Sequence, residues 1–273
     1  MKLYEKIFTK PKPIIGMVHV QALPGSPKHN LSMSEIVSLA VKEAILYEDC
    51  GLDAIILENM HDIPYLNKTM GAEVVSAMTA VACAVRKAVK IPLGIQILAA
   101  ANQQALAVAL AADLQFLRAE GFVYSHIADE GYIESCAGAL LRYRKQIGAE
   151  QIAIFTDIKK KHSAHSITAD VTIGETASAA EFFLSDGLIV TGTATGKEIL
   201  LDDLIESKKH TSLPVFTGSG ITLDNIEKYW SLADGFIIGS YFKEDGLWSN
   251  QLSAQRITDL VKEKSRLYYI ADV

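Results

Sequence analysis

Short runs of hydrophobic residues recur along the chain, and each is followed by a longer segment with the periodicity of an amphipathic helix. Several runs are almost continuous in apolar and β-branched residues, which is typical of parallel strands that are covered on both faces. The pattern predicts eight strands, at residues 14–20, 54–58, 93–98, 114–118, 152–156, 188–191, 215–217 and 236–238.

The segments between these runs carry the signals of helix ends. Ser32 and Thr172 are each followed three residues later by a glutamate, Glu35 and Glu175, which is the capping-box pattern. Gly51 follows the apolar stripe that begins after Ser32, and it predicts where that helix stops.

The regular alternation of strand and helix predicts an α/β fold, a (β/α)8 TIM barrel formed by residues 1–273 as one domain. An open doubly wound sheet is the alternative. The loop after the first strand lacks the GxGxxG turn that binds dinucleotides, which favours the barrel.

Ionisable side chains follow several of the predicted strands. In a barrel the carboxyl ends of the strands converge, so these side chains are expected to meet at one mouth. Glu58, beside His19, can act as a general base or help to bind a divalent metal ion. The polar residues nearby are candidates for contact with the substrate: Asn59, Gln96, Thr191 and Gly192.

A basic loop follows the fifth strand. Asp157 opens it, and Lys161 and His162 lie further along. Alternation along an extended chain places Asp157, Lys159 and Lys161 on one face. A lysine there can neutralise an anionic substrate or, once desolvated, act as a base or form a Schiff base. A solvated surface loop is the alternative.

Glycines and serines follow the last two strands. They are Gly218, Ser219 and Gly220 after the seventh strand, and Gly239 and Ser240 after the eighth. Glycine lets backbone N–H groups approach an anion closely, serine adds a hydroxyl donor, and a short helix near residue 241 would add its positive end, so these residues predict a phosphate site. Lysines 197 and 243 are candidates to assist. Alternatively, the glycines only turn tight corners.

Composition and charge narrow the classes of function. The 273 residues are 49% hydrophobic and carry a formal net charge of −6, and the basic clusters are short, so nucleic-acid binding is not expected. Polar residues interrupt the longest apolar stretch, 95–117, and the N-terminus lacks a secretory signal, so we expect a cytoplasmic protein without a membrane span. Three widely spaced cysteines fit a reducing compartment.

The motifs resemble those of the BtpA family, which includes a photosystem I biogenesis factor and the SgcQ-like proteins of bacteria and archaea. The resemblance covers nearly the whole chain, and its motifs are IGMVH (15–19), LPGSP (23–27), LEN (57–59), DIP (62–64), IKKKH (158–162), VTG (190–192), TG (195–196), GSGITLDN (218–225) and ADGFIIGS (233–240). The chain departs from the family pattern at 99–102 and 118–126. The family implies a phosphate-binding barrel and, in phototrophs, a role in stabilising photosystem I. Similar proteins also occur in non-phototrophs, some in gene settings suggestive of sugar metabolism.

Three functions follow as hypotheses. The first is an enzyme that isomerises, epimerises or cleaves a small phosphorylated metabolite, such as a sugar phosphate or a phosphoribosyl compound. Glu58 would transfer the proton, and Lys161 and His162 would stabilise oxyanion charge. The second is a non-catalytic assembly or regulatory factor of the photosystem I biogenesis type. The third is a metal-dependent hydrolase; the sequence requires no cofactor but leaves a divalent metal and a homo-oligomer open.

Overall fold

The computed structural model describes residues 2–192 and 196–271, and within them parallel strands close into a barrel. The barrel strands are β1 (Ile14–His19), β2 (Ala54–Glu58), β3 (Leu93–Gln96), β4 (Phe116–Ala119), β7 (Ala153–Ile158), β9 (Gly187–Val190), β10 (Val215–Thr217) and β11 (Gly235–Ile238). The intervening strands form a small separate sheet: β5 (His126–Ala128), β6 (Gly131–Ile133) and β8 (Ser163–Ala164).

Each of the eight predicted runs overlaps one barrel strand, which confirms the TIM barrel and rules out the open sheet. β11 pairs with β1, and this pairing closes the ring. β7 runs two residues beyond its predicted end, because residues 157 and 158 continue the ladder with β9. The functional ends of the strands are therefore gathered at one mouth.

Helices follow most of the barrel strands and cover the outside. They are α2 (Met33–Asp49), α3 (Ala72–Ala88), α4 (Asn102–Ala111), α5 (Ala137–Gln146), α6 (Ile173–Phe182), α7 (Leu201–Lys209), α8 (Ile226–Trp230) and α9 (Ala254–Ala271). The short helix α1 (Leu3–Ile7) precedes β1 and packs against the cluster inside the barrel. Both predicted capping boxes are present: Ser32 with Glu35 starts α2, and Thr172 with Glu175 starts α6. Of the helices in the described residues, none has the length and hydropathy to cross a membrane.

Apolar side chains fill the lower part of the barrel interior. The ring of Phe8, just after α1, lies with its centroid 5.8 Å from that of Phe116, 6.2 Å from that of Phe155 and 6.1 Å from that of Phe216. These rings belong to one buried cluster with side chains of alternate strand positions. Because apolar side chains fill this end of the barrel, the space for a ligand lies at the opposite end, above the carboxyl ends of the strands.

The small sheet stands beside the mouth. β5 pairs in antiparallel register with both β6 and β8. Asn67 donates hydrogen bonds to the carbonyl oxygens of Glu130 (3.2 Å) and Tyr132 (2.9 Å), which holds the β5–β6 turn in place. Strands of two or three residues carry no periodic signal, so the hydrophobic pattern does not predict this sheet.

Candidate functional site

The side chains that point into the barrel change from apolar to polar near the mouth. Inward positions are two residues apart, so the polar residue of each strand follows an apolar one, as His19 follows Met17 and Asp157 follows Phe155. The strand register places His19 beside Glu58 and Glu58 beside Gln96. The resulting polar layer consists of His19, Glu58, Gln96, Arg118 and Asp157.

This polar layer is the floor of a cavity of about 400 Å³. Its walls come from Tyr65, from the β5–β6 turn with Asp129 and Glu130, from the loops after β7, β10 and β11, and from Arg256 of α9. Pockets for small metabolites typically measure roughly 300–1,000 Å³ and carry a few convergent polar groups. The mouth of the barrel therefore has the size and polarity of a metabolite site.

Arg118 and Asp157 form a bidentate ion pair on this floor. Arg118 Nε donates to Asp157 Oδ2 at 3.0 Å, and Nη2 donates to Oδ1 at 2.9 Å. Both side chains are buried. Such fork-to-carboxylate pairs fix the position of both groups. Both carboxylate oxygens of Asp157 are thus committed to Arg118, and its catalytic role stays a prediction.

A second buried ion pair joins Lys160 and Glu120. Lys160 Nζ lies 3.1 Å from Glu120 Oε1, and Glu120 Oε2 accepts the backbone N–H of Ala100 at 2.9 Å. Burial disfavours the ionised carboxyl, but the charge of Lys160 outweighs it and holds the pKa of Glu120 below its usual value. The sequence places Glu120 at the mouth, two residues beyond Arg118 in the same alternation, but it did not predict that Lys160 pairs with it.

Glu58 is buried and has no hydrogen-bond donor in the described part of the chain. Its nearest partner is His19, whose Nε2 lies 3.7 Å from Glu58 Oε2. Burial, followed by the charge of Lys243, lowers the pKa of His19 to about 3, so the imidazole is neutral and no ion pair forms. The Trp248 carbonyl lies 3.0 Å from Nδ1, which places the ring proton there. Burial raises the pKa of Glu58, and the nearby Arg118 charge offsets only part of the shift.

Lys161 and His162 lie in the loop after β7 and line the cavity. The backbone N–H of Lys161 donates to Thr191 Oγ1 at 3.1 Å, which anchors the loop to the end of β9. Burial, followed by the charge of Arg118, lowers the pKa of Lys161. Burial and the charge of Lys161 lower the pKa of His162. The structure therefore brings these predicted residues together with Glu58.

Gln96 also faces the cavity with an unused polar atom. The residue is 2% exposed, and its Oε1 has no hydrogen-bond partner among the described residues. A buried acceptor without a donor is unfavourable by about 1–3 kcal/mol. The predicted position of Gln96 in the site is thus supported by an atom that a ligand can satisfy.

The glycine corners after β10 and β11 line the same cavity. In the described part of the chain, the backbone N–H groups of Ser219, Gly220, Gly239 and Ser240 have no acceptor. Gly218 instead donates its N–H to the carbonyl of residue 190 at 2.8 Å. Four backbone donors thus remain for an anion, which is the arrangement that the glycine pattern predicts.

Three details of the predicted phosphate site need correction. The Ser219 hydroxyl accepts the N–H of Gly192 at 2.6 Å and donates to the Lys197 carbonyl at 3.2 Å, so it is already engaged. The expected short helix is a three-residue 3₁₀ turn, Ser240–Phe242, which is too short to supply a helix dipole. Lys243 is buried in an ion pair with Glu43 at 2.6 Å and does not line the cavity.

Arg256 of α9 brings a positive charge to the cavity that these corners line. It stacks against Tyr241, with its guanidinium carbon 5.3 Å from the ring centroid, and donates to the Tyr241 carbonyl at 3.1 Å. No sequence signal marked Arg256, because it belongs to α9 and follows no strand end.

Three predicted substrate contacts lie outside the described cavity lining. Asn59 is fully buried; its Oδ1 accepts the N–H of Leu98 at 2.8 Å, and its amide donates to Asp62 at 3.3 Å. Thr191 and Gly192 make the loop contacts described above. All three support the loops around the cavity. The motif residue Thr195 lies outside the described residues.

Lys159 does not share a face with Asp157 and Lys161 in the main cavity. Its φ of 47° ends the extended conformation right after β7, and its amine donates to the Thr168 carbonyl at 3.0 Å. The alternation used to place it therefore stops at residue 158. Among the described residues, no group of three or more His, Cys, Asp or Glu side chains is arranged to hold a metal ion.

The family model of BtpA matches residues 10–266 of this chain. The chain belongs to the BtpA family. It is 49% identical over 268 residues to an uncharacterised mitochondrial protein of Caenorhabditis elegans, covering 96% of each chain. It is 32% identical over 263 residues to the photosystem I biogenesis protein BtpA of Synechocystis, covering 96% of this chain and 91% of that one.

Solved structures with this architecture include metabolic enzymes. Phosphoribosyl anthranilate isomerase from Thermus thermophilus has a TM-score of 0.57 at 13% identity, over 93% of this chain and 99% of that one. The N-acetylmannosamine-6-phosphate 2-epimerase from Clostridium perfringens has a TM-score of 0.52 at 16% identity, over 99% of this chain and 96% of that one. At such identities the likeness shows the TIM-barrel fold alone.

Proposed function

We propose that this protein is an enzyme that isomerises, epimerises or cleaves a small phosphorylated metabolite, a sugar phosphate or a phosphoribosyl compound. One observation carries the proposal. A cavity of about 400 Å³ is lined by backbone N–H groups, by the Glu58 carboxyl group and by the Lys161 amine. None of these groups has a hydrogen-bond partner among the described residues.

The phosphate would bind at the glycine corners. The free N–H groups of residues 219, 220, 239 and 240 supply donors, and Arg256 supplies a positive charge on the same wall. Charge-assisted hydrogen bonds to an anion are about twice as strong as neutral ones, so this wall favours phosphate over a neutral group. The names of two structural neighbours, an isomerase and an epimerase of phosphorylated compounds, support the choice of substrate.

Proton transfer would fall to Glu58. Burial raises the pKa of its carboxyl group toward neutral pH. A group whose pKa is near the working pH can both accept and return a proton efficiently. Lys161 and His162 lie beside the cavity in positions to stabilise the oxyanion that forms when a proton leaves the carbon next to a carbonyl. The reaction class therefore requires a substrate with a carbonyl group or its equivalent.

The test is deuterium incorporation from D₂O into a panel of sugar phosphates and phosphoribosyl compounds, followed by proton NMR. We expect exchange at the carbon next to the carbonyl of at least one compound, and loss of that exchange in Glu58→Gln. Glu150→Gln is the matched control, because Glu150 lies on the surface beside Lys145. Exchange that survives in Glu58→Gln removes Glu58 from the mechanism, and a panel without exchange or turnover contradicts the proposal.

An assembly role is the second candidate. The Synechocystis relative is described as a photosystem I biogenesis protein, and three adjacent hydrophobic residues here are exposed, Phe182 (80%), Phe183 (46%) and Leu184 (67%). A function through this surface would survive Glu58→Gln and be lost in Phe182→Ser. A cytoplasmic location stays a prediction, and homo-oligomer formation and a divalent metal stay open; elemental analysis of untagged protein tests the metal.

A further inference from the structure

Three consecutive lysines after β7 are held in three different ways. Lys159 donates to a backbone carbonyl outside the main cavity, and Lys160 is buried in its ion pair with Glu120. Lys161 lines the cavity, and across residues 2–192 and 196–271 its amine makes no ion pair and no hydrogen bond. Of the three amines, that of Lys161 lines the ligand space and has no partner in the part of the chain that the structure describes.

The surroundings of Lys161 combine a fixed backbone with acid–base groups. Its N–H is tied to Thr191, so the residue is anchored at the edge of the cavity. Arg118 is close enough to disfavour a second positive charge, and burial acts in the same direction to lower the pKa of Lys161. Glu58 lines the same cavity, and burial raises the pKa of its carboxyl group. Imine formation needs an unprotonated amine and an acid that protonates the departing oxygen, and the lowered pKa of Lys161 and the raised pKa of Glu58 shift the two groups toward these forms.

We propose that Lys161 forms an imine with the carbonyl carbon of the substrate, which makes the substrate a phosphorylated aldehyde or ketone. The inference rests on the proposed function for the phosphate and for the shared cavity. In this proposal Lys161 reacts covalently with the substrate and does not only stabilise an oxyanion.

The step balances with the groups present. The Lys161 nitrogen bonds to the carbonyl carbon, and the carbonyl oxygen leaves as water with one proton from the amine and one from the Glu58 carboxyl group. The products are a positively charged iminium and the Glu58 carboxylate. That carboxylate then takes the proton from the neighbouring carbon to give an enamine, and it can return the proton later. The iminium acts as the electron sink that this proton removal requires.

Reductive trapping tests the proposal in the full chain. The protein is incubated with dihydroxyacetone phosphate and sodium cyanoborohydride at neutral pH, then digested and mapped by mass spectrometry. We expect one dominant adduct on Lys161, with a mass increase of one probe molecule less one oxygen atom. Hydroxyacetone, the same ketone without phosphate, should label about tenfold more slowly or worse, since a charge-assisted phosphate contact is worth about 1.5–3 kcal/mol.

Neighbouring residues supply the controls. Lys159→Met should label like the wild type, whereas Lys161→Arg keeps a long basic side chain that cannot form the imine and should not label. Mapping of the wild-type protein needs no variant, so a poorly folded variant does not weaken the test. Labelling spread over surface lysines, or absent from Lys161 at saturating probe, overturns the proposal.

The outcomes also separate this proposal from the proposed function. Deuterium exchange of a sugar phosphate that persists in Lys161→Arg, with no adduct in the wild type, rejects the imine and keeps the enzyme. An adduct on Lys161 with no exchange or turnover of any compound in the panel supports the imine and rejects the reaction class.

Discussion

Replacing Glu58 with glutamine should stabilise the fold while it removes the group proposed to move the proton. Glu58 is 7% exposed, no hydrogen bond reaches its carboxyl group in the described residues, and the imidazole 3.7 Å away is neutral. An unsatisfied buried polar group destabilises a protein by about 1–3 kcal/mol, and a charged one by more. Glutamine keeps the shape and removes the charge.

The gain has a defined pH dependence. The pKa of Glu58 is raised in the folded protein, so between the unfolded value, about 4.3, and the folded value the native state binds more protons than the unfolded state. Stability of the wild type therefore falls as the pH rises through that window. The advantage of Glu58→Gln should be largest above the folded pKa and should vanish below about pH 4.

The assay is urea unfolding of the wild type and the variant at pH 8 and pH 4. We expect Glu58→Gln to raise the free energy of unfolding at pH 8 by about 1–3 kcal/mol, or the melting temperature by about 2–4 °C per kcal/mol. Glu150→Gln, on the surface, should change little at either pH. A variant less stable than the wild type at pH 8, or a gain that is equal at both pH values, would refute the desolvated carboxyl group.

Further substitutions test the Lys160–Glu120 ion pair, the apolar cluster around Phe8 and the proposed phosphate site. Lys160→Met leaves Glu120 buried without its cation and should destabilise the fold by about 3–5 kcal/mol in urea, and a loss below about 1 kcal/mol contradicts the pairing. Because the pKa of Glu120 is lowered, its contribution is present above about pH 4 and lost as the pH falls through the folded value, so acid titration of the wild type should show a loss that Lys160→Met lacks. Phe8→Ala should lower the free energy of unfolding by about 3–5 kcal/mol. It should leave reductive trapping on Lys161 unchanged, because the Phe8 ring lies at the opposite end of the barrel. Altered trapping would show that the apolar cluster and the mouth are coupled. Arg256→Ala should weaken the binding of inorganic phosphate about ten- to hundredfold, as measured by calorimetry, and unchanged affinity would place the anion elsewhere.

The barrel could be predicted from the sequence because its signals are local. A strand such as β2 is a continuous apolar run that ends in a single polar residue, Glu58, and this change marks both the strand and its functional end. The capping boxes of α2 and α6 each depend on two residues three positions apart. Signals of this short range do not depend on contacts with distant segments of the chain.

The site could be predicted only in part, because its details depend on contacts between distant segments. The hydroxyl of Ser219 is engaged by residues that lie 22 and 27 positions earlier in the chain. Arg256 reaches the cavity from a helix far from any strand end, and one backbone angle at Lys159 separates it from Lys161. Packing with distant segments thus gives adjacent lysines different partners, and it raises the pKa of Lys160 but lowers that of Lys161.

A crystal structure of the protein soaked with ribose 5-phosphate tests the central claim most directly. The account predicts phosphate density within hydrogen-bond distance of the N–H groups of Gly220 and Ser240, with Arg256 beside it and the sugar extending toward Glu58 and Lys161. Phosphate density elsewhere, or an empty cavity at saturating ligand, would contradict it.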